Sequence, residues 1–310
     1  MMPGRRGVLM AAVAAAGIVA GLDAVRAASP TLDKIRSSGT LTLGYREASI
    51  PFSYLGSDQQ PVGMALDLCA AVAERIRTDL NLPALKVAYV AVNASNRIPL
   101  IQNGTVDIEC GSTTNTPERQ KQVAFSIATF VSQPRWLTTR TSGITELKDL
   151  RERTVVITQG SLNMVLAQKQ NTAEGLGLMI LQARDHAESL LMLRTGRAAA
   201  WYEDEVLLAG ARSTAPDPPA LVFLPAAAQT DDEYGLMLRR DDPEFKALVD
   251  GTLRAEMASG AFKRLYEKWF LNPIPPKGLN LDLPMSEALQ LRIKEPSRAS
   301  SASRLLETPR

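Results

Sequence analysis

The chain runs twice through the same order of strand and helix patterns, and this constrains its fold more than any other feature. In the first half, apolar and β-branched stretches predict strands at 40–45, 86–90 and 105–108. Apolar residues at helical spacing predict helices at 31–38, 64–80 and 98–102. Helices that alternate with strands are typical of a largely parallel sheet covered by helices. We therefore predict an α/β fold.

The second series has the same order of parts without an evident sequence repeat, which favours two similar lobes over one open sheet. It predicts strands at 154–158, 178–182 and 198–202, and helices at 144–150, 162–169, 187–195 and 205–211. Extended segments at 130–141 and 233–238 precede and follow it, and we interpret them as two crossings between lobes. The predicted first lobe is discontinuous, at 30–135 and 239–296, and includes a helical region at 243–270 that is broken near Ser259-Gly260. The predicted second lobe covers 136–238.

The N-terminus is typical of a secretory signal. Arg5 and Arg6 precede an apolar, Ala-rich stretch at 8–22, and Val25-Arg26-Ala27 offers small residues at the cleavage positions. A retained membrane anchor is the alternative, but this stretch is short for a span of about 20 residues. We predict a cleaved signal peptide at 1–27 and a periplasmic protein, with the Sec and twin-arginine export routes left open. The Ser- and Arg-rich tail at 297–310 is predicted to be disordered.

Composition disfavours several classes of function. The net charge is +2 and no basic stripe indicates nucleic-acid binding. His186 is the single histidine, and one histidine with two separated cysteines is a poor set of zinc ligands. We expect no metal, no cofactor and no catalytic residues. Cys69 and Cys110 are the two cysteines, and the sequence is compatible with either a disulfide or two buried thiols.

A run at Glu109–Arg119 predicts a site for a carboxylate. It follows the third predicted strand, offers the hydroxyls of Ser112 and Thr114, and starts a helix at Thr116-Pro117 that carries Arg119 one turn later. Hydroxyls, N–H groups at a helix start and a guanidinium all bind carboxylates. The alternative is a capped surface turn.

Further polar residues follow the predicted strands in both lobes. In open α/β sheets, ligands bind beyond the carboxyl ends of the strands, so these residues are expected to converge on one cleft. Taken singly, the arginines can equally be surface charges and the others helix caps, and a Ser–His–Asp triad remains an alternative. The residues added to the set in this way are Arg46, Arg97, Ser161, His186 and Asp204.

From about residue 31 to 296 the chain resembles the type 3 periplasmic solute-binding proteins of ABC transporters, most of all their glutamate/aspartate-binding members. Besides the run at Glu109–Arg119, the resemblance rests on Gly44-Tyr45-Arg46-Glu47, Pro51-Phe52-Ser53-Tyr54, Asn96-Arg97-Ile98-Pro99-Leu100, Asp185-His186, Leu207-Leu208-Ala209-Gly210, Lys268-Trp269-Phe270 and Asn272-Pro273-Ile274-Pro275-Pro276. It implies the two-lobed, type II periplasmic-binding-protein fold. In that fold, each lobe is a mostly parallel sheet flanked by helices, and two crossover strands form the hinge.

The resemblance also implies a role for each candidate residue. By that likeness, Arg119 pairs with the ligand α-carboxylate, assisted by Ser112, Thr114 and Ser161, and Asp204 takes the α-ammonium. Arg46, Arg97 and His186 match the groups that hold the side-chain carboxylate. The chain departs from the pattern at Ala94 and Leu162, where relatives carry hydroxyls, which leaves the preference between glutamate and aspartate open.

The charges agree with this assignment. Three arginines and one aspartate complement two carboxylates and one ammonium, whereas a basic ligand would set a second cation against Arg46 and Arg97. The expected protein is a monomer that captures L-glutamate or L-aspartate and delivers it to an ABC permease in the inner membrane. A sensor of the same amino acids, and a dehydratase-like enzyme on the same fold, remain the alternatives.

Overall fold

A computed structural model describes residues 1, 29–226 and 232–296. The predicted signal peptide, apart from Met1, and the predicted tail at 297–310 lie outside the described residues. The elements up to the first crossing are α1 (Pro30–Ser38), β1 (Thr40–Tyr45), β2 (Ala48–Ser49), β3 (Ser53–Leu55), β4 (Pro61–Val62), α2 (Met64–Asp79), β5 (Lys86–Ala91), α3 (Arg97–Gln102), β6 (Ile108–Cys110), α4 (Pro117–Gln120) and β7 (Ala124–Phe125).

The remaining elements begin with the first crossing. They are β8 (Phe130–Ser132), β9 (Pro134–Thr139), β10 (Thr154–Thr158), α5 (Leu162–Ala173), β11 (Met179–Ala183), α6 (His186–Arg194), β12 (Ala200–Asp204), α7 (Glu205–Ser213), β13 (Leu221–Phe223), β14 (Asp232–Tyr234), β15 (Met237–Leu238), α8 (Pro243–Ala258), α9 (Ala261–Phe270) and α10 (Glu287–Lys294). Short 3-10 turns lie at Arg140–Ser142, Leu147–Leu150 and Pro218–Ala220.

Two five-stranded sheets form the cores of two lobes, and their strand orders correspond. The first sheet has the order β5-β1-β6-β15-β7 and the second has the order β11-β10-β12-β9-β13. In each, three neighbouring strands run parallel and the fourth, β15 or β9, runs antiparallel to its neighbours. The predicted mostly parallel α/β sheets flanked by helices are therefore present in both halves of the chain.

Local chemistry explains why several elements begin and end where they do. Ser29 accepts a hydrogen bond from the Leu32 N–H at the start of α1, and Gly39 closes that helix in the left-handed conformation at φ 64°. Helix α2 buries one stripe, including Leu68, Val72 and Ile76, against the first sheet, as its spacing predicts.

The crossings between the lobes pair with each other. Strands β8 and β14 form a two-stranded antiparallel sheet in which Phe130 is opposite Tyr234. Helix α10 lies against β8 and buries Leu289, and its Arg292 pairs with Glu233 of β14. Both crossings are thus held together outside the two main sheets.

The structure corrects several predicted boundaries. The third strand is Ile108–Cys110 rather than 105–108, and the strand predicted at 198–202 is Ala200–Asp204, so Asp204 ends this strand instead of following it. The helix predicted at 144–150 is one 3-10 turn at Leu147–Leu150. The extended segment predicted at 130–141 divides into two strands, Phe130–Ser132 and Pro134–Thr139.

Sheet membership also bears on the predicted lobe boundaries. Strand β15 belongs to the first sheet, although the second lobe was predicted to continue to residue 238. Strand β9 belongs to the second sheet from Pro134, two positions before the predicted start at 136.

A disulfide joins the two cysteines and resolves the alternative left open by the sequence. Cys69 of α2 is bonded to Cys110, the last residue of β6, with their Cα atoms 6.3 Å apart. The bond fastens α2 to the strand that leads into the Glu109–Arg119 run. It therefore ties the candidate carboxylate site to the core of the first lobe.

We predict that Cys69→Ala with Cys110→Ala lowers the free energy of unfolding by about 4 kcal/mol, since the bond closes a loop with a sequence separation of 41. Urea unfolding followed by circular dichroism measures this change. An unchanged midpoint, or two titratable thiols in unreduced denatured protein, would show that the bond does not form.

Candidate functional site

Three arginines lie at the junction of the two lobes and influence one another. Arg46 and Arg97 are each 3% exposed, so the alternative that they are surface charges is wrong. Burial lowers the pKa of Arg46 to about 10 and the pKa of Arg119 to about 9, and the positive charge of Arg97 lowers both further. All three arginines remain cations at neutral pH, so the junction favours the binding of anions.

The Glu109–Arg119 run forms the first-lobe wall of this site. Thr116 caps α4 by accepting from the Arg119 N–H, as predicted, and the Arg119 Nη1 donates to the Thr114 carbonyl oxygen at 2.8 Å. The buried Ser112 hydroxyl has no hydrogen-bond partner among the described residues. A hydroxyl and a guanidinium on this wall are thus able to contact a ligand.

Two first-lobe side chains, Thr113 and Glu109, hold Arg97 in place, and neither was predicted as a candidate site residue. Its Nη1 donates to the Thr113 hydroxyl and lies 3.9 Å from the Glu109 carboxylate, while its Nε has no partner in the described part of the chain. Glu109 in turn accepts from the Thr113 hydroxyl at 2.6 Å. The buried carboxylate of Glu109 offsets part of the arginine charge.

Asp204 reaches the site from the second lobe. It occupies the N-cap position of α7, but its side chain makes no capping hydrogen bond there. Instead it accepts from the Tyr234 hydroxyl and from the Asn163 Nδ2, the latter at 3.1 Å. Burial raises the pKa of Asp204, while these two hydrogen bonds and the charges of Arg119 and Arg97 oppose that shift.

An aromatic cluster fixes Tyr234 at the hinge. Its ring stacks on Phe130 with centroids 5.7 Å apart, and Phe52 packs edge-on against both rings. Because Phe130 and Tyr234 lie on β8 and β14, the two crossings place the tyrosine hydroxyl at Asp204. Nothing in the local sequence of Tyr234 marks it as a site residue, since its role depends on this tertiary packing.

His186 is buried where the lobes meet. Asp185 caps α6, and the His186 Nδ1 lies 3.3 Å from the Ser49 hydroxyl of the first lobe. Burial holds the pKa of His186 well below its usual value, and the charge of Arg46 lowers it further. The ring is therefore neutral at pH 7.

Ser161 has a more local role. It occupies the N-cap position of α5 without making the capping bond, and its hydroxyl donates to the Thr158 carbonyl oxygen at 2.7 Å. Gly160, its neighbour, accepts from the Arg119 Nη2 at 3.4 Å across the lobes. Ser161 thus stands next to the second-lobe backbone that Arg119 contacts.

The lobes approach closely beside these residues. A Cβ atom built on Gly160, at φ 77°, would lie 2.8 Å from the backbone of Ala94, and the Ser95 hydroxyl donates to the Gln159 carbonyl oxygen at 3.3 Å. A cavity of about 170 Å³ opens beside Arg46 and is lined from both lobes, with Arg184 and Asp185 on the far side. The two lobes therefore contact each other directly beside the candidate site.

Two buried acids, Glu109 and Glu203, also face this cluster. Glu109 begins the predicted run but was given no role of its own, and Glu203 was not predicted. When ionised, each of these acids raises the pKa of Arg97. The signal available was weak, because each acid lies within a strand and does not follow it. Three acidic side chains therefore lie near the three arginines, where the sequence-based count had only Asp204.

We predict that the ligand-free protein loses stability below pH 6.5 because of His186. His186 gains a proton near pH 6.5 in the unfolded protein but stays neutral in the folded protein. The free energy of unfolding therefore decreases as the pH is lowered, by up to about 1.4 kcal/mol per pH unit. Urea unfolding of wild type and His186→Gln at pH 7.5 and pH 5.0 tests this. Wild type should lose more on acidification than the variant, and equal losses would contradict a neutral buried ring.

Comparison with known proteins places this architecture in a family. Residues 41–272 match the model of bacterial extracellular solute-binding proteins, family 3. The chain is 47% identical over 268 residues to the L-glutamate/L-aspartate-binding protein of Pseudomonas aeruginosa, covering 86% of this chain and 88% of that protein. It is 43% identical over 291 residues to the glutamate/aspartate import solute-binding protein of Escherichia coli, covering 93% and 95%.

Solved structures agree. A mutant of ArgBP from T. maritima superimposes with a TM-score of 0.67 at 26% identity, over 77% of this chain and 98% of that one. This likeness confirms the predicted two-lobed, type II periplasmic-binding fold. The chain belongs to the bacterial extracellular solute-binding proteins of family 3.

Proposed function

We propose that this protein captures L-glutamate or L-aspartate between its lobes and delivers it to the permease of an ABC transporter. The observation that carries the proposal is that three arginines meet at the lobe junction, with Arg46 and Arg97 buried and Arg119 half-buried beside them. Removing guanidinium groups from water in one place is costly unless anions complete the site. The names of the relatives from Pseudomonas aeruginosa and Escherichia coli support an acidic amino acid as that anion.

The balance of charge favours an acidic ligand. Burial and the neighbouring Asp204 raise the pKa of Glu203 to about 8, so Glu203 is neutral at pH 7. Three arginines then face the carboxylates of Glu109 and Asp204, which leaves one positive charge. An amino acid with two carboxylates and one ammonium carries one negative charge and neutralises the site, whereas arginine or lysine would double the excess.

The contacts follow from the positions of the donors. We assign the ligand α-carboxylate to Arg119, with Ser112, Thr114 and Ser161 around it, because the Ser112 hydroxyl is buried and without a partner there. The α-ammonium is assigned to Asp204. The side-chain carboxylate is assigned to the end of the site that holds Arg46, Arg97 and His186.

The setting of this function is the periplasm. Both the predicted signal peptide at 1–27 and the family favour export. Among the residues described by the structure, none of the helices has the length and apolar character that a membrane span requires. We infer a monomer that works with an inner-membrane permease, since the ligand contacts proposed here all come from one chain.

Side-chain selectivity tests the proposal. Wild type should bind glutamate at least about 100-fold tighter than glutamine, because the amide leaves buried guanidinium charge without its anion, at about 3 kcal/mol. Arg46→Met should reduce this preference at least about tenfold. Arg46 is chosen because Arg97 also supports Thr113 and Glu109 inside the fold.

Calorimetric titration of both ligands against wild type, Arg46→Met and the control Arg36→Met measures this preference. Arg36 lies on α1 and is exposed, so its substitution should leave the preference unchanged. If wild type binds glutamine as tightly as glutamate, the acidic-ligand assignment is wrong. If Arg46→Met keeps the full preference, Arg46 does not hold the side-chain carboxylate.

Lobe closure gives a second test. A methyl group on Gly160 would meet the Ala94 backbone of the other lobe at 2.8 Å, so Gly160→Ala should hold the lobes apart and weaken glutamate binding at least about tenfold.

Gly196→Ala is the matched control for this test. Gly196 has φ 73° but nothing within 4 Å of the added methyl, so it carries the backbone strain without the contact between lobes. Calorimetry on both variants should separate them. Equal affinities would show that the contact at Gly160 is not needed for binding.

A further inference from the structure

Glu203 is a buried acid that the proposed contacts leave unused. It is the next-to-last residue of β12 and 2% exposed. Its Oε1 accepts from the Asn163 Nδ2 and from the Asp204 N–H, the latter at 3.1 Å. Its Oε2 has no hydrogen-bond partner among the described residues, although it is fully buried.

The surroundings of Glu203 contain no close cation. Within the described ranges, no lysine or arginine lies at ion-pair distance, and the His186 Nε2 is 3.5 Å from Oε2. Arg135 is its register partner on β9, but that guanidinium turns away to the Leu224 carbonyl oxygen and Glu205. The titratable and charged groups that face Glu203 are Asp204 on its own strand, His186 of α6, Tyr234 of β14, and Arg46 and Arg97 of the first lobe.

Two adjacent buried carboxyl groups cannot both be ionised without cost, and they share one amide, Asn163. The negative charge is better stabilised on Asp204, because the Tyr234 hydroxyl also donates a hydrogen bond to it. Glu203 is then the group that keeps a proton, in line with the rise of its pKa to about 8.

The position of this proton follows from the hydrogen bonds. Oε1 already accepts from two donors, so the proton belongs on Oε2. The resulting O–H group is too far from the His186 ring for a normal hydrogen bond, at 3.5 Å. Among the described residues this O–H group has no acceptor at hydrogen-bond distance, and it lies beside the groups assigned to the ligand side chain.

On the basis of the function proposed above, we propose that Glu203 is a further specificity-determining residue, whose Oε2–H donates to the side-chain carboxylate of the acidic ligand. The carboxyl group must hold its proton for that ligand to bind. When the proton leaves, two negative charges meet in a buried site, and the acidic ligand is repelled.

The test compares the pH dependence of L-glutamate binding in wild type, Glu203→Gln and Glu205→Gln at pH 7.0 and pH 9.0. Wild type should lose roughly tenfold more affinity than Glu203→Gln over this interval, since ionisation at about pH 8 leaves about one-tenth of the protein competent at pH 9. Loss of the ligand's own ammonium proton affects all three proteins alike.

Glu205→Gln is the matched control. Glu205 lies two positions after Glu203, is partly exposed and pairs with Arg135 outside the site, so this variant should follow wild type. If Glu203→Gln and wild type show the same pH profile, the proposal is overturned while the proposed function stands. If wild type binds neither glutamate nor aspartate at pH 7.0, the proposed function itself fails.

A measurement on wild type alone covers the case in which Glu203→Gln does not fold. Calorimetry at pH 8.0 in two buffers of different ionisation enthalpy counts the protons taken up with glutamate. About half a proton per ligand is expected, because half of the ligand-free protein has lost the Glu203 proton at that pH. No uptake would overturn the proposal.

Discussion

The desolvation of three guanidinium groups at one point between the lobes is the constraint on which the rest of the structure depends. Arg46, Arg97 and Arg119 remain charged, so the protein must surround them with acceptors or leave room for an anion. It does both. Glu109 lies close to Arg97 and offsets part of its charge. Among the described residues, the Ser112 hydroxyl and the Arg97 Nε have no hydrogen-bond partner, so both are available to a ligand. In the function proposed above, a ligand with two carboxylates supplies the missing anionic partners.

Two lobes suit this constraint better than one. The corresponding strand orders of the two sheets turn the carboxyl ends of β6 and β12 toward a common cleft, so cations of the first lobe face acids of the second. The paired crossings β8 and β14 hold the lobes together and also supply Tyr234 to Asp204. Tyr234 thus lies on a crossing and contacts a residue proposed to bind the ligand, so we expect ligand binding to be coupled to movement of the lobes.

Local patterns in the sequence predict many of the helices and strands of this fold. The stripe of α2, the cap at Thr116 and the break near Ser259-Gly260 each depend on neighbours in the chain, and the structure has all three. Arg46 and Asp204 could be predicted as candidates because they stand at strand ends, and the structure places both at the lobe junction. Glu203 and Tyr234 were not predicted, because the positions of an acid inside a strand and of a tyrosine in a crossing depend on contacts between distant parts of the chain. The disulfide was left undecided for the same reason, since geometry alone decides it.

A crystal structure of the mature protein with L-glutamate is the most direct test of the central claim. The account predicts one glutamate between the lobes, with its α-carboxylate on Arg119, its ammonium on Asp204 and its side-chain carboxylate at Arg46 and Arg97. A glutamate bound outside the cleft, or one whose side-chain carboxylate contacts neither Arg46 nor Arg97, would contradict it.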